Sequence, residues 1–136
     1  MFPIIVPGVV EIAESDVWVI GLALIMMLFD IVSGFTQALI NGELDSTKMR
    51  QGLCHKALLI LLICMAFVIQ TATKHIGDTG WSFPIVLPCC IYIVVMEITS
   101  ILENIAKAYP GFESTPLAKL FTKLIESAKT EGENHE

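Results

Sequence analysis

The stretch LFDIVSGFTQALINGELDSTKMRQGLCHK, residues 28–56, decides how the chain is read. Asp30 interrupts a long apolar run that closes on Asn41-Gly42, and a small basic cluster of Lys48, Arg50 and Lys56 comes after it. Whether that carboxylate lies in water or in hydrocarbon depends on the sequence around it, so the composition comes first.

The chain has 136 residues, of which 54% are hydrophobic and only 16% charged, against about 25% charged in soluble domains. Its mean hydropathy is +0.72. These values indicate one domain of an integral membrane protein. The net charge of -6 comes with no clustered basic surface, so no nucleic-acid partner is implied. Cys54, Cys64, Cys89 and Cys90 lack metal-type spacing and read as small core hydrophobes. The arm over residues 1–16 carries Glu11, Glu14 and Asp16 and no positive charge before the first apolar run. It does not resemble a cleaved signal, and the mature chain is expected to begin at or near Met1.

Three segments are candidates to cross a bilayer, at about 17–39, 57–73 and 83–105, within a transmembrane domain at about 17–106. The first contains Asp30 and the third Glu97. From Val17 to Leu39 there are twelve Leu, Ile, Val or Phe residues. At about -0.3 to -0.6 kcal/mol each they outweigh the roughly +2.5 to +3.5 of one central Asp. The second segment, ALLILLICMAFVIQTAT, is apolar all round and lacks the polar face a helix of a soluble bundle would show.

Basic residues set the direction. Lys48, Arg50 and Lys56 fall between the first two spans, and Lys107, Lys119, Lys123 and Lys129 come after the third, leaving only Lys74 between spans two and three. Three crossings, with the N-terminus outside and the C-terminus in the cytoplasm, satisfy this distribution. The fold class is therefore an all-α, three-helix membrane protein, expected in a bacterial inner membrane.

The joints have their own chemistry. Asn41-Gly42 suits a helix end, with Asp45 or Ser46 able to cap the next helix, so residues 40–56 read as a tight cytoplasmic turn that includes Gly52 and Lys56. HIGDTGWSFP places Trp81 at interface depth and Pro84 near the next helix, and Trp18 is a second interface anchor. Pro88, one turn further in, is expected to bend that helix. Residues 107–136 read as a cytoplasmic amphipathic helix with Thr115 as cap, Pro116 in its first turn, Leu117, Leu120, Phe121, Leu124 and Ala128 on one face, and an acidic, disordered ending, TEGENHE.

At about 100° per residue, Asp30, Ser33, Gly34, Gln37 and Asn41 share one edge of the first helix. Glu97, Ser100, Glu103 and Asn104 are read as one side of the third. Counting back from Asn41 puts Asp30 about 16 Å deep, near the bilayer middle. Polar edges at that depth face a bundle interior or water. They either join the helices of one subunit or, on assembly, line an aqueous lesion that three helices alone cannot enclose. The preferred reading is that only assembly among copies satisfies them. Gly21 and Gly34 are candidates for close helix packing. His55, His75 and His135 are scattered, so no metal site, no cofactor and no catalytic constellation is implied, and the chain does not read as an enzyme.

FDIVSGFTQALINGELDSTKMRQGLCHK and MEITSILENIAKAYPGF resemble the toxin secretion/phage lysis holin family of small bacteriophage membrane proteins. Those proteins carry a first-helix Asp, then a small residue and Gly, an N-G-x-x-x-S turn and a G-hydrophobic-x-x-Lys opening to the next helix. The counterparts are Asp30, Ser33-Gly34, Asn41-Gly42 with Ser46, and Gly52-Leu53 with Lys56. An E-x-x-S-I-L-E-N stretch is matched by Glu97, Ser100, Ile101, Leu102, Glu103 and Asn104. The resemblance implies a homo-oligomeric pore former of the host inner membrane that releases an endolysin at a set time, some relatives serving toxin export. TEGENHE departs from the basic tail such proteins often carry. The alternatives are a non-lytic membrane scaffold or holin antagonist, and a small ion channel.

Overall fold

The computed structural model describes residues 4–6, 10–76 and 83–133. Trp81, His135 and the other residues of the second loop's centre and of the last three positions lie outside this set. Strands β1 (Ile4–Val6) and β2 (Val10–Ile12) pair antiparallel, Ile4 opposite Ile12 and Val6 opposite Val10. This small hairpin in the N-terminal arm is an addition to an otherwise helical chain.

Helix α1 runs over Glu14–Asn41, α2 over Ser46–His75, α3 over Val86–Ala108 and α4 over Pro116–Glu133. The first three are long and apolar enough to cross a membrane. Helix α1 stops where Gly42 takes a left-handed φ of 67° and its N–H reaches back to the last carbonyls, a conformation that disfavours any Cβ. Asp45 then caps α2, its carboxylate accepting from the N–H groups of Thr47 at 2.8 Å and Lys48 at 3.4 Å.

Because that cap comes so early, α2 begins at Ser46, and Gly52 and Lys56 lie inside a helix. The expectation that residues 40–56 form a turn is thereby corrected: only 42–45 do so, because Asp45 caps the helix and Lys48, Met49, Arg50, Gln51 and Leu53 carry it past Gly52. Pro88 occupies the first turn of α3, where its missing N–H has no helical partner to lose, so the expected bend has no cause. A short 3-10 helix at Phe112–Ser114 reverses the chain into α4, whose N-terminus Thr115 caps by accepting from the Ala118 N–H at 3.2 Å.

Helix α1 packs along α3 and only lightly on α2. The buried core is Ala23 and Met27 of α1, Leu59, Ile63 and Ala66 of α2, and Val86, Cys90 and Ile93 of α3. Of the four cysteines only Cys90 belongs to this core; Cys54 and Cys64 are exposed on α2, because they lie on its outward face. Between Val17 and Phe29 on α1, Ala57 and Ile69 on α2, and Leu87 and Tyr92 on α3, every exposed residue is apolar or aromatic. That belt is the surface a hydrocarbon solvent requires.

Candidate functional site: two buried polar layers

The core is bounded by two polar layers. In the first, Lys56 of α2 pairs with Asp30 of α1 at 2.7 Å and with Glu97 of α3. Asn104, two turns beyond Glu97, donates to Asp30 Oδ1 at 3.1 Å and to Ser33 Oγ at 3.0 Å. In the second layer, Gln70 of α2 donates to Asp16 Oδ2 at 2.6 Å and accepts the N–H of Val86 at 3.0 Å, which caps the start of α3.

The layers are in register. Asp16 and Asp30 are fourteen residues apart on α1, as are Lys56 and Gln70 on α2, a separation of about 21 Å along a helix. A hydrocarbon slab of about 30 Å centred between them extends about ten residues each way. It therefore covers about 13–33 of α1 and 53–73 of α2. A slab so centred would put Asp30 about 10 Å from its midplane and leave the α1–α2 turn and the last two turns of α3 beyond its edge.

Charges at such depth are tolerable only when paired and hydrogen-bonded. Here they are paired within one subunit, and among the described residues no buried side-chain N or O lacks a partner. The expectation that only assembly satisfies the polar edges is thereby corrected. Its physical cause is Lys56: as a turn residue it could not reach Asp30 or Glu97, whereas a third of the way along α2 it stands between them.

The other predicted residues separate into three groups. Gln37 and Gly34 line a cleft with Asp30, and Asn41 bridges α1 to α3 by donating to the Lys107 carbonyl at 3.3 Å. A Cβ on Gly34 would lie 3.4 Å from Asn104 Nδ2, so this glycine marks a close α1–α3 approach, whereas within the subunit one on Gly21 would meet nothing within 4 Å. Ser100 is half-buried on α3. Glu103 is exposed and does not join Glu97, since six residues at about 100° each leave it about 120° away.

The cleft, about 450 Å³, opens between α1 and α2 at the turn end. Its mouth is bordered by Glu43, Lys48 and Lys107, beyond the slab, and its floor is Asp30 and Lys56. Accordingly the Asp30 side chain retains 14% exposure while that of Glu97 retains 3%. The cleft thus borders the charged layer at Asp30 and Lys56 and not at Glu97. Sequence reasoning missed Asp16, Gln70 and the inward role of Lys56; a glutamine in an otherwise apolar span was the available signal. Among the described residues no group of three or more His, Cys, Asp or Glu is placed to hold a metal ion.

No curated protein and no solved structure matches the chain. A sequence model of the bacteriophage holin family matches residues 10–126, which takes in both polar layers, all three long helices and most of α4. With that span covered, and with three helices long and apolar enough to cross a membrane arranged around paired charges, the chain belongs to the bacteriophage holin family.

Proposed function

We propose that this chain is a lysis-timing holin: it accumulates in the host cytoplasmic membrane, self-associates, and opens lesions through which an endolysin reaches the cell wall. The observation that carries the reading is the Asp30–Lys56–Glu97 layer, closed inside each subunit yet approached by a cleft at its least packed seam. Separating these charges in lipid leaves each uncompensated at a cost of several kcal/mol. Separating them where the α1–α2 seam of several copies opens onto shared water costs far less. Single subunits therefore stay shut, and opening is collective.

The orientation adopted is N-terminus outside and C-terminus in the cytoplasm. Lys48, Arg50, Lys107, Lys119, Lys123 and Lys129 all lie at or after the turn end, Lys56 is internal, and Lys74 alone is at the other end, which supports a cytoplasmic turn.

Timed expression in a bacterial host, with and without a co-expressed endolysin, tests this. Growth arrest and depolarisation at a set time, with lysis only when endolysin is present, are expected. Arrest without endolysin release would favour a small ion channel, and no arrest at all a scaffold or antagonist. Asp30→Leu, which removes one anion from the layer, should insert and shift the onset of lysis; an unaltered schedule would remove the charged layer from the mechanism.

A further inference from the structure

The apolar face of α4 is left uncovered by the subunit. Leu117, Leu120, Phe121 and Leu124 recur at helical spacing and are all exposed, whereas Ala118 is buried and Ile125 half-buried. On a helical projection the stripe centred on Leu117 and Leu124 lies about 100° from the Ala118–Ile125 side. Helix α4 thus touches α3 with one flank and presents its leucines to something else.

Its position narrows what that is. Seven residues separate Ala108 from Pro116, and within them the chain reverses at Phe112–Ser114. Thr99, Leu102 and Ala106 of α3 face Ala118, Ile125 and Lys129 of α4 across a cleft of about 440 Å³. With the slab edge near Ser100 on α3, α4 stands beside the part of α3 that emerges from hydrocarbon. Tyr109, 61% exposed at the joint, and Phe121 add aromatic rings at the depth where such rings partition. Lys123 lies about 60° from Leu120 on the side of the stripe away from α3, whereas Lys119 falls beside Glu126 on the opposite face.

From these observations we infer that α4 docks its Leu117, Leu120, Phe121 and Leu124 face into the headgroup boundary of an anionic lipid surface, with Lys123 on the lipid phosphates. A stripe of this width with a lysine at its edge fits a helix lying in the interface plane. The occupant is thus the bilayer that α1–α3 already cross, and it holds α4 at a fixed height beside α3.

The test uses the full chain in vesicles of phosphatidylcholine with phosphatidylglycerol. In a background without Cys54, Cys64, Cys89 and Cys90, checked for helicity, an environment-sensitive fluorophore is attached through Leu120→Cys or Glu126→Cys. The label at 120 should emit blue-shifted and be quenched several-fold more by shallow spin-labelled lipid than the label at 126. Equal, water-like emission at both sites overturns the proposal. So does protection at 120 that appears only as the protein-to-lipid ratio rises, which would make the occupant a second copy. Independently of any cysteine, Lys123→Gln in the native background should weaken the dependence of α4 protease protection on phosphatidylglycerol, and an undiminished dependence would overturn the role given to Lys123. Protection indifferent to anionic lipid in the unsubstituted chain would also overturn it.

Discussion

Lys56 Nζ lies 2.7 Å from Asp30 Oδ2 and also meets Glu97, so a single ammonium on α2 ties α1 and α3 together at one level. Each carboxylate has this cation as its ionic partner, and Asp30 gains a further hydrogen bond from Asn104. The layer is therefore a unit: removal of its centre strands both neighbours, whereas removal of one edge leaves the remaining pair intact.

Lys56→Met should accordingly be the most damaging single change in the bundle. Breaking a buried pair from one side costs about 3–5 kcal/mol, because the remaining charge is left uncompensated. The measurement is loss of helicity in mixed micelles as the denaturing detergent fraction rises. Combining Lys56→Met with Asp30→Asn and Glu97→Gln should recover most of the loss, since no charge then remains to be stranded. A triple variant as unstable as the single one would mean that packing by the lysine stem, not charge, holds the layer.

The opposite layer fails more locally. Gln70→Leu removes the donor to Asp16 and the acceptor for the Val86 N–H, two bonds worth about 0.6–2 kcal/mol each in a membrane setting. Amide exchange in the first turn of α3 should quicken while exchange around Glu97 is unchanged. Uniform quickening along α3 would contradict the separation of the two layers.

The three crossings, the Gly42 stop and the Asp45 cap were legible because each is a local signal: an apolar run, a left-handed glycine, a short acceptor before a helix. The polar edge of α1 was legible too, since it arises from 3.6-residue spacing. What was not legible was the partner. Lys56 sits at the border between a polar and an apolar stretch, and nothing in its neighbourhood says whether it turns out toward headgroups or in toward Asp30. That depends on α2 starting ten residues before it and on α3 presenting Glu97 at the same height, both tertiary facts. Gln70 escapes a period-based reading, which averages one amide into fourteen apolar neighbours. Glu103 does not belong with Glu97 because closeness in sequence is not closeness around a helix.

The hairpin itself should be separable from the layers. Gly42→Ala forces a Cβ into a left-handed conformation, costing about 1–2 kcal/mol, and Asp45→Ala loses the cap, costing about 1 kcal/mol. The residues touch neither polar layer, so the two losses should add to those of Gln70→Leu in the same detergent titration. Strong non-additivity would indicate that the turn sets the register of the charged layer.

Gly34 sets how closely α1 approaches Asn104, and the size dependence of its replacement is informative. A methyl group at Gly34 would meet Asn104 Nδ2 at 3.4 Å, an ordinary contact, so Gly34→Ala should stay within about 1 kcal/mol of the parent. Leucine carries three further carbons into the same space and must displace the carboxamide, which forfeits its bonds to Asp30 and Ser33. Gly34→Leu and Asn104→Leu should then be strongly non-additive, the double variant being scarcely worse than either alone, because both remove the same two bonds. Asp30, already the member of the charged layer that solvent reaches, would be held by Lys56 alone in either variant. Lysis onset in timed expression should therefore come earlier for both, and Gly34→Ala should keep the parental schedule. Earlier onset with Gly34→Ala as well would place the effect in helix flexibility rather than in the release of Asp30.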